Sequence, residues 1–116
     1  MCKHLIIRAL HRDESFLAEG VNRIVKHLRL HKQKIDVRNL YELEFDPVLT
    51  SDDFEAVKKG TVPKDIATEQ EYIHYADFIW FVFPIWWASM PAILKGYIDR
   101  VFLNGFAYRM EGNYPK

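Results

Sequence analysis

An unbroken run of six apolar residues at positions 78–83, FIWFVF, is the feature that most constrains the fold. Because it is ended by Pro84, this run predicts a β-strand that is buried on both faces. It is much shorter than the ~20 apolar residues that a membrane-spanning helix requires. The loop that follows, residues 85–89, contains two adjacent tryptophans. Pro91 then favours the first turn of a helix, where a missing N–H costs no hydrogen bond.

The helix predicted after Pro91 has one broad apolar face. Lys95, Asp99 and Arg100 fall on its other side, and Asn104-Gly105 is expected to end it. The apolar face consists of Ile93, Leu94, Tyr97, Ile98, Val101 and Phe102. The unit is therefore a strand, an aromatic loop and a helix. In open α/β sheets, the loops at the carboxyl ends of the strands bind ligands.

A strand and a helix are also predicted at the start of the chain. The strand, residues 5–10, contains Arg8, which a central parallel strand tolerates only near its end and with a partner. A polar turn follows, in which Ser15 or Asp13 is expected to cap a helix that extends to about Leu30. The apolar stripe of this helix consists of Leu17, Val21, Ile24, Val25 and Leu28.

The second strand, residues 34–40, alternates apolar and charged side chains, which predicts an edge strand with one solvated side. Its apolar positions are Ile35 and Val37, and its charged positions are Asp36 and Arg38. An irregular segment, residues 41–63, is expected to hold a short helix at 52–58, and a longer helix is predicted at 65–75. Right-handed crossovers make the three strands parallel. The solvated second strand belongs at the edge and the apolar third strand in the middle. The simplest sheet order is 2-1-3.

The composition excludes several classes of function. Sixteen basic and sixteen acidic residues give no net charge, so neither a nucleic-acid surface nor an anionic membrane surface is indicated. Cys2 is the single cysteine and no secretory signal is apparent, which favours the cytoplasm. His27 and His31 lack an evident third metal ligand, so no metal site is predicted. Neither a Walker loop nor the glycine fingerprint of a dinucleotide-binding Rossmann fold is present.

A 2-1-3 sheet predicts where a ligand would bind. The switch point lies between strands 1 and 3, and the loops at residues 11–15 and 84–89 open there. The first loop leads into a helix amino terminus, whose free N–H groups suit a phosphate. The second offers backbone amides and two indoles, which suit a flat heterocycle. The two loops together fit a nucleotide-like cofactor with a phosphate end and a ring end.

The segment FPIWWASMPAILKGYIDRVF, residues 83–102, resembles the signature of the flavodoxin-like NAD(P)H:quinone oxidoreductases. Members of that family carry Phe-Pro-x-x-Trp-x-x-x-Pro-Ala-Ile-Leu-Lys-Gly, followed by Arg-Val-Phe and Phe-Ala-Tyr. The matching positions here are Phe83, Pro84, Trp87 and residues 91–96, 100–102 and 106–108. Weaker matches lie at His11, Ser15-Phe16, Leu40-Tyr41, residues 45–47, Asp65-Ile66 and Glu69-Gln70. The resemblance therefore covers nearly the whole chain.

The resemblance implies one flavodoxin-like flavin-binding domain over residues 1–116, within a doubly wound parallel sheet of order 2-1-3-4-5. Only the first three strands fall within these residues. Residues 78–83 would then form a flat apolar sheet edge, which proteins normally cover. This conflict leads to the hypothesis that the chain is truncated and lacks the two C-terminal strands of the family.

The resemblance also implies a function. Such a protein transfers hydride from NAD(P)H to quinones or related electrophiles by a ping-pong mechanism on bound FAD, with FMN as the alternative. A cytoplasmic homodimer would be expected, with no nucleic-acid partner and no membrane insertion. The implied cofactor-binding residues are His11, Ser15, Phe16, Leu17, Pro84, Ile85, Trp86, Trp87 and Ala88. Tyr108 would line the quinone pocket, and the family's catalytic acid and base lie downstream of Lys116, so no catalytic residue is assigned.

Two other functions and several plainer interpretations stay open. A flavodoxin-like ancillary subunit of a potassium-efflux system would keep the fold with little turnover. An electron-carrying flavodoxin is disfavoured, because those proteins are usually acidic and have a Thr/Ser-rich phosphate loop. His11 could be an ordinary surface residue. Trp86 and Trp87 could serve packing or a dimer contact, and Tyr108 could pack at a helix end.

Overall fold

Three parallel strands organise the residues that this computed structural model describes, namely 2–12, 15–103, 106, 110–111 and 114–115. The strands are β1 (Lys3–Arg8), β2 (Lys34–Asn39) and β3 (Phe78–Val82). Their order is β2-β1-β3, and Ile6 on β1 pairs with Val37 on β2 and with Trp80 on β3. The predicted parallel sheet and its strand order are confirmed.

Helices connect these strands and cover the two faces of the sheet. Those described are α1 (Phe16–Leu30), α2 (Ser51–Lys58), α3 (Lys64–Tyr75) and α4 (Ala92–Val101). Two short strands, β4 (Met110–Glu111) and β5 (Tyr114–Pro115), pair antiparallel beyond α4. Each predicted helix is confirmed to within a few residues. The predicted helix end at Asn104-Gly105 lies outside the described residues; α4 ends at Val101, with Phe102 as its C-cap.

The core has two parts because successive residues of a strand point to opposite faces. Leu5 and Ile7 of β1 belong to the larger cluster, whose other buried members come mainly from α3, α4 and the segment after β2. Ile6 belongs to the smaller cluster, with Ala18 and Val21 of α1. These side chains are essentially inaccessible to solvent, so β1 is the strand that is buried on both faces.

The third strand is less buried than its apolar sequence predicted. Phe78, Trp80 and Phe81 are each between about one third and one half exposed. The reason is the strand order, since none of the described strands pairs with the outer side of β3. Its inner side contacts β1, where the Trp80 indole donates a 3.0 Å hydrogen bond to Nδ1 of His4. The prediction that this strand is buried on both faces is therefore wrong for the described sheet, whereas the expected apolar edge is present.

The charged residues of the first two strands each have a structural place. Arg8 is the last residue of β1, and a charged residue in a central strand is tolerated near the strand end. Its side chain donates to the Arg12 carbonyl at 3.5 Å. Arg38 of β2 forms a two-bond ion pair with the buried Glu69 of α3, at 2.6 and 3.1 Å. Val37, on the other face, is more exposed than Arg38. Near the end of β2 the charged side chain is therefore better covered than the apolar one, because Arg38 contacts α3.

Helix α4 holds the segment between β2 and α3 against the core. Arg100, predicted on the side of α4 away from its apolar face, is not solvated there, since its side chain is buried and forms ion pairs with Asp53 and Asp65. The Tyr97 ring packs on Phe45, with ring centroids 5.2 Å apart. These contacts fix the position of α4 and, with it, the position of the loop that enters α4.

Candidate functional site

The first loop of the candidate site begins where β1 ends. The Ala9 N–H donates to the Val82 carbonyl at 2.9 Å, which extends the pairing with β3, and the Leu10 side chain is buried. His11 follows and is exposed. Ser15 then caps α1, since its Oγ accepts a 3.1 Å hydrogen bond from the Ala18 N–H. The prediction of Ser15 as the cap is confirmed, and the alternative cap, Asp13, lies outside the described residues.

The second loop contains a tight turn. The N–H of Trp86 donates to the Ser89 carbonyl at 2.9 Å, and the N–H of Ser89 donates to the Trp86 carbonyl at 3.0 Å. The two central residues, Trp87 and Ala88, have φ angles of +51° and +60°. Non-glycine residues adopt this left-handed region at a cost of about 1–3 kcal/mol, and such strain is concentrated at functional sites. Lys32 and Glu44 have similar φ angles elsewhere, so the turn supports a candidate site here together with its place at the carboxyl end of β3.

The two loops meet at the carboxyl ends of β1 and β3. The His11 and Trp86 rings have centroids 5.5 Å apart, with a tilt of 55° between their planes. A small cleft of about 60 Å³ lies between the loops. Its walls are formed by Leu10, His11, Arg12, Ser15, Leu17 and Pro84. The predicted juxtaposition of the two loops at adjoining strand ends is confirmed; the functional roles of their residues stay predictions.

Several predicted site residues of the two loops are strongly exposed. Phe16 is 92% exposed, and Trp87 is fully exposed. Ile85 and Ala88 are also exposed, whereas Leu17 is partly buried against the α1 side of the core. Contiguous exposed apolar residues, such as those at positions 85–88, are typical of binding surfaces. Tyr108 and its predicted pocket lie outside the described residues.

The structure adds Tyr41 to the site. In the sequence this residue opens the irregular segment and belongs to the weak family match at Leu40-Tyr41, without a predicted role. Its ring meets the His11 ring edge-on, with centroids 6.3 Å apart. The available signal was positional, because Tyr41 follows β2 as His11 follows β1, and the carboxyl ends of parallel strands lie at the same sheet edge. Arg12 also lines the cleft and places a cation beside it.

The described residues contain no cluster of three or more His, Cys, Asp or Glu side chains arranged to hold a metal ion. Likewise, none of the helices described has both the length and the apolarity to cross a bilayer. Larger clefts, of about 380 and 450 Å³, lie on α1 and beside α2, α3 and the end of α4. The strand-end cleft is favoured by its topology and strained turn rather than by its size.

The comparison with protein families agrees with this geometry. A family model described as the flavodoxin-like fold matches residues 2–116. The chain belongs to this flavodoxin-like family. The resemblance identified from residues 83–102 is thereby confirmed at the level of the family.

Individual relatives of this flavodoxin-like chain are named as oxidoreductases. An NAD(P)H oxidoreductase of Haemophilus influenzae, itself described as uncharacterized, is 41% identical over 109 residues, which are 93% of this chain and 54% of that protein. The ribosyldihydronicotinamide dehydrogenase (quinone) of Homo sapiens is 33% identical over 129 residues, covering 97% of this chain and 56% of the relative. The chain thus spans about half the length of the curated relatives it matches.

A solved structure extends the similarity to three dimensions. The NAD(P)H:quinone oxidoreductase from Methanothermobacter marburgensis superposes with a TM-score of 0.87 at 30% identity. The match covers 94% of this chain and 57% of that one. The flavodoxin-like fold that the strand order indicates is therefore shared with a protein named as a quinone reductase.

Proposed function

We propose that this protein is a flavin-dependent oxidoreductase that transfers hydride from NAD(P)H to quinones or related electrophiles. The observation that carries the proposal is the meeting of the His11 loop and the Trp86 turn at adjoining strand ends, in a chain whose family includes quinone reductases. FAD is the proposed flavin, with FMN as the alternative. A quinone is the proposed acceptor, and a cytoplasmic homodimer is the proposed form.

The residues of the first loop fit the phosphate end of such a cofactor. The Ser15 side chain accepts a hydrogen bond from the N–H of Ala18, and the N–H groups of Phe16 and Leu17 precede it in the first turn of α1. A helix amino terminus carries partial positive charge and free donors, both of which favour an anion. His11 and Arg12 add side-chain donors beside it. We therefore assign the phosphate to this end of the crevice.

The residues of the second loop fit the ring end. Pro84, Ile85, Trp86, Trp87 and Ala88 form a surface of apolar groups and backbone amides, held by the turn that Trp86 and Ser89 close. Apolar faces with a few fixed polar groups are what a flat heterocycle requires. A bound flavin supplies the redox chemistry, whereas this loop orients the ring and excludes water from one side of it. The proposed reaction is ping-pong, with the oxidised nicotinamide leaving before the acceptor binds.

The visible spectrum of the purified protein tests this proposal. A flavin absorption band should be present, or should return when FAD or FMN is added, and NADPH should bleach it under anaerobic conditions. Quinone should then restore the band, and acid release followed by chromatography identifies the flavin. A colourless protein that neither flavin reconstitutes would contradict the proposal. Flavin binding without bleaching would instead favour the ancillary-subunit alternative.

A further inference from the structure

Three aromatic rings at the candidate site come from the ends of three different strands. Tyr41 follows β2, His11 follows β1, and Trp86 follows β3, in the same order as the strands lie in the sheet. The His11 ring is the middle one, 6.3 Å from Tyr41 and 5.5 Å from Trp86 between centroids. Both distances fall within the range in which aromatic pairs attract each other. We call this arrangement the aromatic row.

The backbone beneath the outer two rings is fixed. The Leu40 N–H donates to the Arg8 carbonyl at 3.0 Å and the Leu40 side chain is fully buried, so the chain entering Tyr41 is anchored to β1. The Tyr41 carbonyl accepts a 3.1 Å hydrogen bond from the N–H of Glu44, which fixes the chain as it leaves. At the other end of the row, two hydrogen bonds to Ser89 hold Trp86.

The middle ring depends on its neighbours. His11 lies on an exposed turn, so its imidazole would have several rotamers open to it without contacts on either side. Contact with Tyr41 on one side and Trp86 on the other selects the orientations in which the imidazole borders the cleft. Groups that are oriented before binding lose less conformational entropy when a ligand arrives.

We propose that Tyr41 is a positioning residue for cofactor binding, which holds the His11 imidazole ready to contact the cofactor phosphate. This inference rests on the proposed function, and it adds a residue from the β2 end to a site otherwise built from the ends of β1 and β3. Tyr41 acts through His11 and touches neither the flavin ring nor the acceptor.

Flavin titrations of single variants test the proposal, with FMN and riboflavin as paired probes that differ only in the phosphate. The variant Tyr41→Leu should raise the Kd for FMN by about two- to tenfold, the value of one aromatic contact. It should leave the Kd for riboflavin unchanged. Tyr41→Phe, which keeps the ring, should bind FMN like the parent protein. In a His11→Gln background, Tyr41→Leu should have no further effect on FMN binding.

A matched control is available at the opposite end of the sheet. Tyr75 lies near Lys3 at the amino end of β1, so Tyr75→Leu removes a tyrosine without touching the aromatic row. It should bind both probes like the parent protein, and circular dichroism should show that every variant is folded. Equal FMN affinity in Tyr41→Leu and the parent would overturn the inference alone, as would equal losses of FMN and riboflavin binding. A parent protein that binds no flavin would overturn both the inference and the proposed function.

Discussion

Arg100 on α4 forms a buried, two-bond ion pair with Asp53 on α2, with nitrogen–oxygen distances of 2.9 and 3.1 Å. The same guanidinium donates to the Asp46 carbonyl at 2.8 Å and to the Asp65 carboxylate at 2.7 Å. One side chain therefore joins α4 to two points of the segment between β2 and α3, Asp46 and Asp53, and to the first turn of α3 at Asp65. Because α4 follows the Trp86 turn directly, this contact also supports the candidate site.

Replacing Arg100 by a neutral residue should lower the free energy of unfolding. Arg100→Leu leaves the Asp53 carboxylate buried without its partner, and removing one member of such a pair typically costs about 3–5 kcal/mol. The free energy of unfolding, measured by urea titration, should fall by about that amount. The matched control is Lys95→Met, which breaks the exposed Lys95–Asp99 pair on the same helix and should cost less than about 1 kcal/mol. Similar losses in the two variants would contradict the anchoring role of Arg100.

The same pair predicts a dependence of stability on pH. The hydrogen bonds from Arg100 lower the pKa of Asp53 below its ordinary value of 3.8, although burial opposes the shift. Because the folded-state pKa lies below the unfolded one, the contribution is complete above the unfolded pKa and is lost as the pH falls through the folded pKa. The free energy of unfolding should therefore decrease more in the parent than in Asp53→Asn between neutral pH and about pH 2. Parallel pH profiles for the two proteins would argue against a shifted carboxyl group.

Much of the fold can be predicted from local sequence patterns. The strand at residues 78–83 and the helix after Pro91 depend on runs and spacings within a few residues, and both are present. The burial of Arg100 cannot be predicted from such patterns. The helical spacing places it away from the apolar face of α4, yet its partner Asp53 lies 47 residues earlier in the chain. Burial by a distant segment leaves no trace in the periodicity of the helix itself.

The candidate site was predictable in its location but not in its detail. The strand order alone brings the His11 and Trp86 loops together, because both follow adjacent parallel strands. The left-handed backbone conformation of Trp87 and Ala88 was not predictable. Neither residue is a glycine or asparagine, the types that usually adopt it in turns. The Tyr41 contact required knowing how the chain leaves β2, which a segment without periodicity does not reveal.

The approach of α4 to Pro47 can be tested at Gly96. A Cβ atom at this position would overlap the backbone and side chain of Pro47, so the helix and the segment could not both keep their places. We expect Gly96→Ala to lower the free energy of unfolding by about 1–3 kcal/mol. Gly20→Ala is the matched control, since a Cβ there meets no atom within 4 Å and alanine favours a helix by about 0.5–1 kcal/mol. Chemical denaturation of both variants should thus show opposite signs, and stabilisation by Gly96→Ala would rule out this packing.

Replacing the exposed Trp87 should affect flavin binding but not the stability of the fold. Since the side chain is fully exposed, Trp87→Ser should change the free energy of unfolding by less than about 0.5 kcal/mol. If the turn supports a flavin ring as proposed, the same variant should raise the Kd for both FMN and riboflavin by about two- to tenfold, because the ring rather than the phosphate loses its contact.

Phe54→Ser, at an exposed aromatic residue of α2, provides the comparison and should leave both affinities unchanged. Fluorescence titration with the two flavins measures the difference. Unaltered affinities in Trp87→Ser would remove this indole from the ring site, while a large loss of stability would show that it packs against the protein.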